Sequence, residues 1–161
     1  MAHDAFPAHS VPANSVRLTS TARIGAHPIH PMLVPVPIAC FVGVLLTDLA
    51  YWKTAEITWS NFSAWLVSAG VVIGWLAAIF GAVDLLARRA IRNLTAAWIH
   101  GIGNLVVLLL ATLNMLVHTH DAWTSVVPWG LTLSVLTVMV LLVTGWMGWA
   151  LVYRYRVGGA G

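Results

Sequence analysis

Four long apolar runs, at 33–52, 62–86, 97–117 and 126–153, leave this chain of 161 residues few ways to fold. Each is long enough to supply the roughly 20 helical residues that cross a hydrocarbon core. The breaks between them, 53–61, 88–95 and 118–125, are short and polar. Connections of that length make consecutive helices antiparallel neighbours. The expectation is an all-α integral membrane protein, an antiparallel four-helix bundle over residues 27–157. Composition agrees, because 8% of the residues are charged and 60% hydrophobic, where a water-soluble domain carries about 25% charge. The single cysteine, Cys40, excludes a disulfide framework, a C-x-x-C-H haem attachment and an iron–sulfur cluster bound by this chain alone. It is expected to be a small packing residue. Neither a phosphate-binding loop nor a G-x-S-x-G turn is present, so hydrolytic and transferase activity has no motif to rest on.

Cations give the orientation. Arg17 and Arg23 precede the first span, Arg88, Arg89 and Arg92 follow the second, and Arg154 and Arg156 follow the fourth. Lys53 stands alone on the other side. The excess of positive charge predicts both termini on the cytoplasmic side of a bacterial inner membrane. Trp52, Trp59, Trp123 and Trp129 are expected near the outer headgroups and Trp98 near the inner ones. The net charge of +3 is accounted for by orientation and points to no nucleic acid; the expected surroundings are the lipid bilayer. Residues 1–26 have no signal-peptide core and are expected to be a mobile tail, with a flexible end at 158–161.

Residues 26–38 read AHPIHPMLVPVPI, with prolines at 28, 31, 35 and 37. A residue before proline is biased toward extended backbone. An extended HPIHP would point His27 and His30 the same way, roughly 9 Å apart. The regular helix would then begin near Pro35, leaving the HPIHP stretch at the inner boundary. Non-helical backbone is tolerated there only against protein or a water-filled cavity.

Ionisable residues inside a membrane are costly and face the bundle interior, which singles out Asp48, Asp84 and His100. The first and third spans run the same way, so His100 should lie level with His27 and His30, with Asp84 joining that layer. Asn104, four residues on, shares the face of His100. Gly101 and Gly103, with Gly145 and Gly148 on the fourth span, would admit either a flat cofactor or a closely packed helix. Asp84 has an alternative partner in Arg88 at four-residue spacing. Asp48 should lie level with His118, near enough for a hydrogen-bonded pair that serves the structure. The H-x-H-D run of His118, His120 and Asp121 reads as a solvated loop, since a metal needs three or four converging ligands.

The segments HPIHPMLVPVPI at 27–38, GAVDLLARR at 81–89, HGIGN at 100–104 and GWALVYRYRVGG at 148–159, with Asp48, together resemble a family of bacterial four-helix membrane proteins. It is the uncharacterised family catalogued as domain of unknown function 2231, and the resemblance covers residues 25–159. H-P-x-H-P is its most specific part. The family pattern falls on His27, His30, Asp48, Asp84, His100 and Asn104. Some members are joined to Rieske-type iron–sulfur or cytochrome modules, so the resemblance implies redox or respiratory membrane partners. Where many members end in Tyr-Arg-His-Gly-Val, this chain has Tyr153, Arg154, Tyr155, Arg156 and Val157, and any ligand from that histidine is absent.

Three functions stand open at this point. The first is electron transfer through a b-type haem, with His30 and His100 as axial ligands and His27 as substitute or second donor. Asn104, Gly101 and Gly103 would then line the ring, and Arg88, Arg89 or Arg92 would meet the propionates. The second is a metal or proton site of His27, His30, His100 and Asp84. The third is a structural or assembly subunit whose polar residues hold helices together.

Overall fold

The structure, a computed structural model, describes residues 20–25, 27–120 and 126–154, with His120 described by its backbone only. The described chain opens with a two-stranded antiparallel ribbon, β1 (Arg23–Ile24) and β2 (His27–Pro28), pairing Arg23 with Pro28 and Ile24 with His27. Between the strands Gly25 turns at φ 60°, a conformation open to a residue without a Cβ. Helices follow in the order α1 (Ile29–Leu33), α2 (Pro35–Thr54), α3 (Ile57–Ala87), α4 (Arg89–Arg92), α5 (Thr95–His120) and α6 (Leu131–Tyr153). An irregular turn at Val126–Gly130, with Val127 extended, leads into α6. Four stretches are long and apolar enough to cross a membrane: Ile29–Thr54, Ile57–Ala87, Thr95–Thr119 and Val126–Tyr153.

The first span corrects the expectation of an extended HPIHP. Only His27 and Pro28 are extended, and the helix starts at Ile29, six residues before Pro35. Pro31 is the third helical residue, where no helical donor is required. Val34, between α1 and α2, keeps helical angles (φ −54°, ψ −36°) and donates to the His30 carbonyl at 3.1 Å. The pre-proline preference is thus overridden at His30, which packs against α3. His27 is exposed on the ribbon, so the two histidines do not share a face.

Contacts between spans fix their directions. Along α2 and α3, Gly43 would touch Leu66, Gly70 lies against Phe41 and Cys40, and Gly74 approaches Pro37. Numbers that rise on one helix fall on its neighbour, so the pair is antiparallel. Asn114 with Ser134 and His100 with Gly148 show the same of α5 and α6. Each long helix packs against the next, and α6 closes the ring on α2.

The solvent preference is inverted. Trp65, Leu142 and Val72 point outward with 79%, 70% and 68% exposure, while Asp48, Ser60, Ser63, Asn114, Ser134, Thr137 and Thr144 are buried. Around an aqueous protein that arrangement would be unstable; with lipid outside, apolar surface costs nothing and polar side chains bind one another inside. Midway, Phe41, Val44, Val67, Val71, Val107, Leu108, Ala111 and Leu141 form an apolar core.

Burial also discloses a repeat. The inward positions Pro37, Phe41, Val44 and Asp48 of α2 answer to Val107, Ala111, Asn114 and His118 of α5, seventy residues on. In α3, Val67, Gly70, Gly74 and Ala77 answer to Ser134, Thr137, Leu141 and Thr144 of α6, sixty-seven on. His30 matches His100 at the first offset, and Gly81 matches Gly148 at the second. The two helical hairpins thus share one inward burial pattern.

Candidate functional site

Two polar levels lie at opposite ends of the apolar core. At the first, the His30 and His100 rings meet with centroids 6.1 Å apart and planes at 87°. His30 Nδ1 lies 2.8 Å from the Ala77 carbonyl and His100 Nδ1 lies 2.9 Å from the Thr144 carbonyl. A carbonyl only accepts, so each Nδ1 carries the hydrogen and Nε2 holds the ring's lone pair in the neutral form. Each accepting carbonyl stands four residues before a glycine. A Cβ at Gly81 would be 2.9 Å from His30 Nδ1, and one at Gly148 would be 2.8 Å from His100 Cε1. These two glycines are therefore the seats of the imidazoles, and α3 and α6 each present a bare backbone to a histidine from the preceding span. Asn104 Nδ2 donates to the His100 carbonyl at 2.8 Å and lies 3.2 Å from both Nδ1 and Nε2 of the same ring. His30 has no such amide, because the repeat partner of Asn104 is Val34.

The other residues expected here are elsewhere. His27 is on the exposed ribbon. Asp84 accepts from Ser20 Oγ, from the Thr21 amide at 2.5 Å and from the Ala22 amide at 3.0 Å. It neither joins the imidazoles nor pairs with Arg88, whose Nε donates to Thr21 Oγ1 at 2.8 Å. Residues 20–22, expected within a mobile tail, are thus strapped across the end of α3, since the amides before the ribbon offer Asp84 better partners than a flexible guanidinium. Arg92 Nη1 donates to the Leu86 carbonyl at 3.0 Å, turned from the imidazoles. Gly103 faces Thr144, whose Cγ2 would stand 2.3 Å from an added Cβ, so it serves the contact of α5 with α6 and not a flat ligand. Gly101 would touch only Leu85, and Gly145 lies open on the outer face. Tyr155 to Val157, Asp121 and Trp123 lie outside the described residues, as do 1–19 and 158–161.

At the second level every long helix contributes. Asp48 of α2 is fully buried. Its Oδ1 accepts from Ser63 Oγ of α3 at 2.6 Å and lies 3.0 Å from His118 Nε2 of α5. Oδ2 accepts from Ser134 Oγ of α6 at 2.5 Å. Asn114 Nδ2 donates to Ser134 Oγ at 2.8 Å, and Thr47 Oγ1 lies 2.7 Å from Ser63 Oγ. The residues Ser63, Ser134 and Asn114 escaped sequence reasoning, since a small polar residue in an apolar run is ordinary. The signal that finds them is their place on the same inward stripe as Asp48 or His118.

No group of three or more His, Cys, Asp or Glu side chains able to hold a bare metal ion occurs among the described residues. The four-ligand metal centre of His27, His30, His100 and Asp84 is therefore not assembled. The His30 and His100 rings meet edge to face, each with Nδ1 at a carbonyl of a neighbouring helix.

These features define a four-helix membrane protein with a paired-imidazole level and a carboxylate-centred level. The family comparison agrees: the chain belongs to the DUF2231 family of predicted membrane proteins, whose family model matches residues 26–161. No curated protein and no solved structure matches it.

Proposed function

We propose that this protein is an electron-transfer component of the bacterial inner membrane that binds b-type haem between His30 and His100. The carrying observation is the opposition of two imidazoles from diagonal spans at 6.1 Å, each with Nδ1 tied to a carbonyl of a neighbouring helix. That tie sets the ring orientation and raises the basicity of Nε2. Haem, when bound, supplies a one-electron couple. The chain's own part is to hold the two rings at fixed separation, to exclude water with the apolar core, and to close the end with the strap on Asp84. The seven arginines around residues 17–23, 88–92 and 154–156 support a cytoplasmic side for both termini, and the proposed partners are redox membrane proteins.

The test is a reduced-minus-oxidised visible spectrum of the full-length protein purified from haem-replete cells. A bis-imidazole b-type spectrum is expected, lost in His30→Ala and in His100→Ala. Purified protein without haem bands overturns the reading. A structural subunit is the second reading, favoured by the same Nδ1 contacts, which join the first span to α3 and α5 to α6 without any cofactor. It expects His100→Ala to reduce accumulation of the protein and to leave its spectrum unchanged.

A further inference from the structure

The level at 48 and 118 carries an inference independent of haem. His118 Nδ1 lies 3.0 Å from the Asn114 carbonyl, which can only accept, so Nδ1 bears a hydrogen. Its Nε2 faces Asp48 Oδ1 at 3.0 Å. A neutral imidazole with hydrogen on Nδ1 would set the bare Nε2 lone pair against an ionised carboxylate oxygen, two acceptors in contact and buried. The contact is sound only with one more proton in it. We propose that Asp48 and His118 bind one shared proton, which makes this level an intramembrane proton-binding site of zero net charge.

Two forms satisfy the geometry and hold the same number of protons. In one the imidazolium donates from Nε2 to the carboxylate. In the other the proton has moved to Oδ1, an O–H formed as the N–H breaks, and the carboxylic acid donates to Nε2. Ser63 from α3 and Ser134 from α6 donate to Asp48 in either form. Among the described residues, the groups bonded to the pair come from Ser63, Ser134 and Asn114, and none of them titrates. Lys53, the nearest cation along α2, is turned onto the Trp52 ring at 4.8 Å. Removing the proton would leave an uncompensated negative charge in a fully buried position, with Nε2 and Oδ1 repelling. A loaded pair therefore draws the four helices together, and an unloaded pair would loosen them.

The test uses the full-length chain in lipid nanodiscs at pH 7.5, with nitrogen-15 histidine and carbon-13 aspartate. The His118 signals are assigned by their loss in His118→Gln. Support is either protonation of both ring nitrogens with an ionised Asp48, or a bare Nε2 with a protonated Asp48 carboxyl seen in the infrared. A bare Nε2 beside an ionised Asp48 overturns the proposal. In Asp48→Asn the His118 ring should carry a single proton, on Nδ1, and a doubly protonated ring there overturns the proposal equally. Should Asp48→Asn not accumulate, Ser134→Ala keeps both members of the pair and should retain the shared proton, whereas its loss there would assign the proton to the hydroxyl network.

Discussion

The two polar levels solve opposite problems with the same helices. At 48 and 118 every polar atom of the carboxylate is matched, and all four long helices are bound to one side chain. At 30 and 100 each ring has Nδ1 at a carbonyl, while Nε2 of His100 lies 3.2 Å from Asn104 Nδ2 and Nε2 of His30 has no hydrogen-bond partner among the described residues, and the glycines seat the rings without locking them to each other. The first arrangement engages both oxygens of its acid, leaving Asn114 Oδ1 as the unpartnered buried atom beside it, and the second engages one nitrogen of each ring with a carbonyl. The difference teaches that an intramembrane histidine is read by the state of its second nitrogen, with His118 buried and His30 and His100 half-buried.

Breaking the level at 48 and 118 should have the largest effect. Asp48→Ala leaves His118, Ser63 and Ser134 without their acceptor, and loss of one partner of a buried pair costs about 3–5 kcal/mol. The check is thermal unfolding in detergent and the amount of folded protein in the membrane. Next come the seats of the level at 30 and 100. Gly148→Ala and Gly81→Ala each drive a methyl group into an imidazole, an overpacking that costs about 1–3 kcal/mol. Both should abolish the proposed haem spectrum while the protein still inserts, and an unchanged spectrum in either would show that the seats do not set the rings.

Truncating the rings themselves should cost less stability than crowding them. His30→Ala and His100→Ala each remove one side-chain hydrogen bond, about 0.6–2 kcal/mol in a membrane bundle. Their thermal midpoints should stay near that of the parent protein while haem is lost, the reverse of the Asp48 pattern. Smallest is Asp84→Ala, which frees the strap at a cost of about 1 kcal/mol. It should speed tryptic cleavage after the exposed Arg23 and leave both levels intact.

Much of this was legible in the sequence, because the span lengths follow from bilayer thickness. The depth of His100 relative to His30, and of Asp48 relative to His118, follows from counting along parallel helices. The ribbon and helix start were not legible: HPIHP carries a real extended bias, but at Ile29 the packing of His30 on bare Gly81 outweighs it. Asp84 was misplaced because its partners are main-chain amides at 21 and 22, which no side-chain pattern announces. The repeat was hidden as well. His30 and His100 coincide at the offset, yet few other positions do, and the correspondence is one of burial.

That repeat bears on why the protein is a single tandem chain. Two copies of one hairpin, assembled about a true symmetry axis, must put the same residue on both sides of it, acid against acid or base against base. An acid can stand opposite a base on the axis only after the halves are joined and free to diverge. Joining the two halves in one chain leaves each free to differ, so that Asp48 of one stands against His118 of the other, while at the opposite level His30 stands against His100.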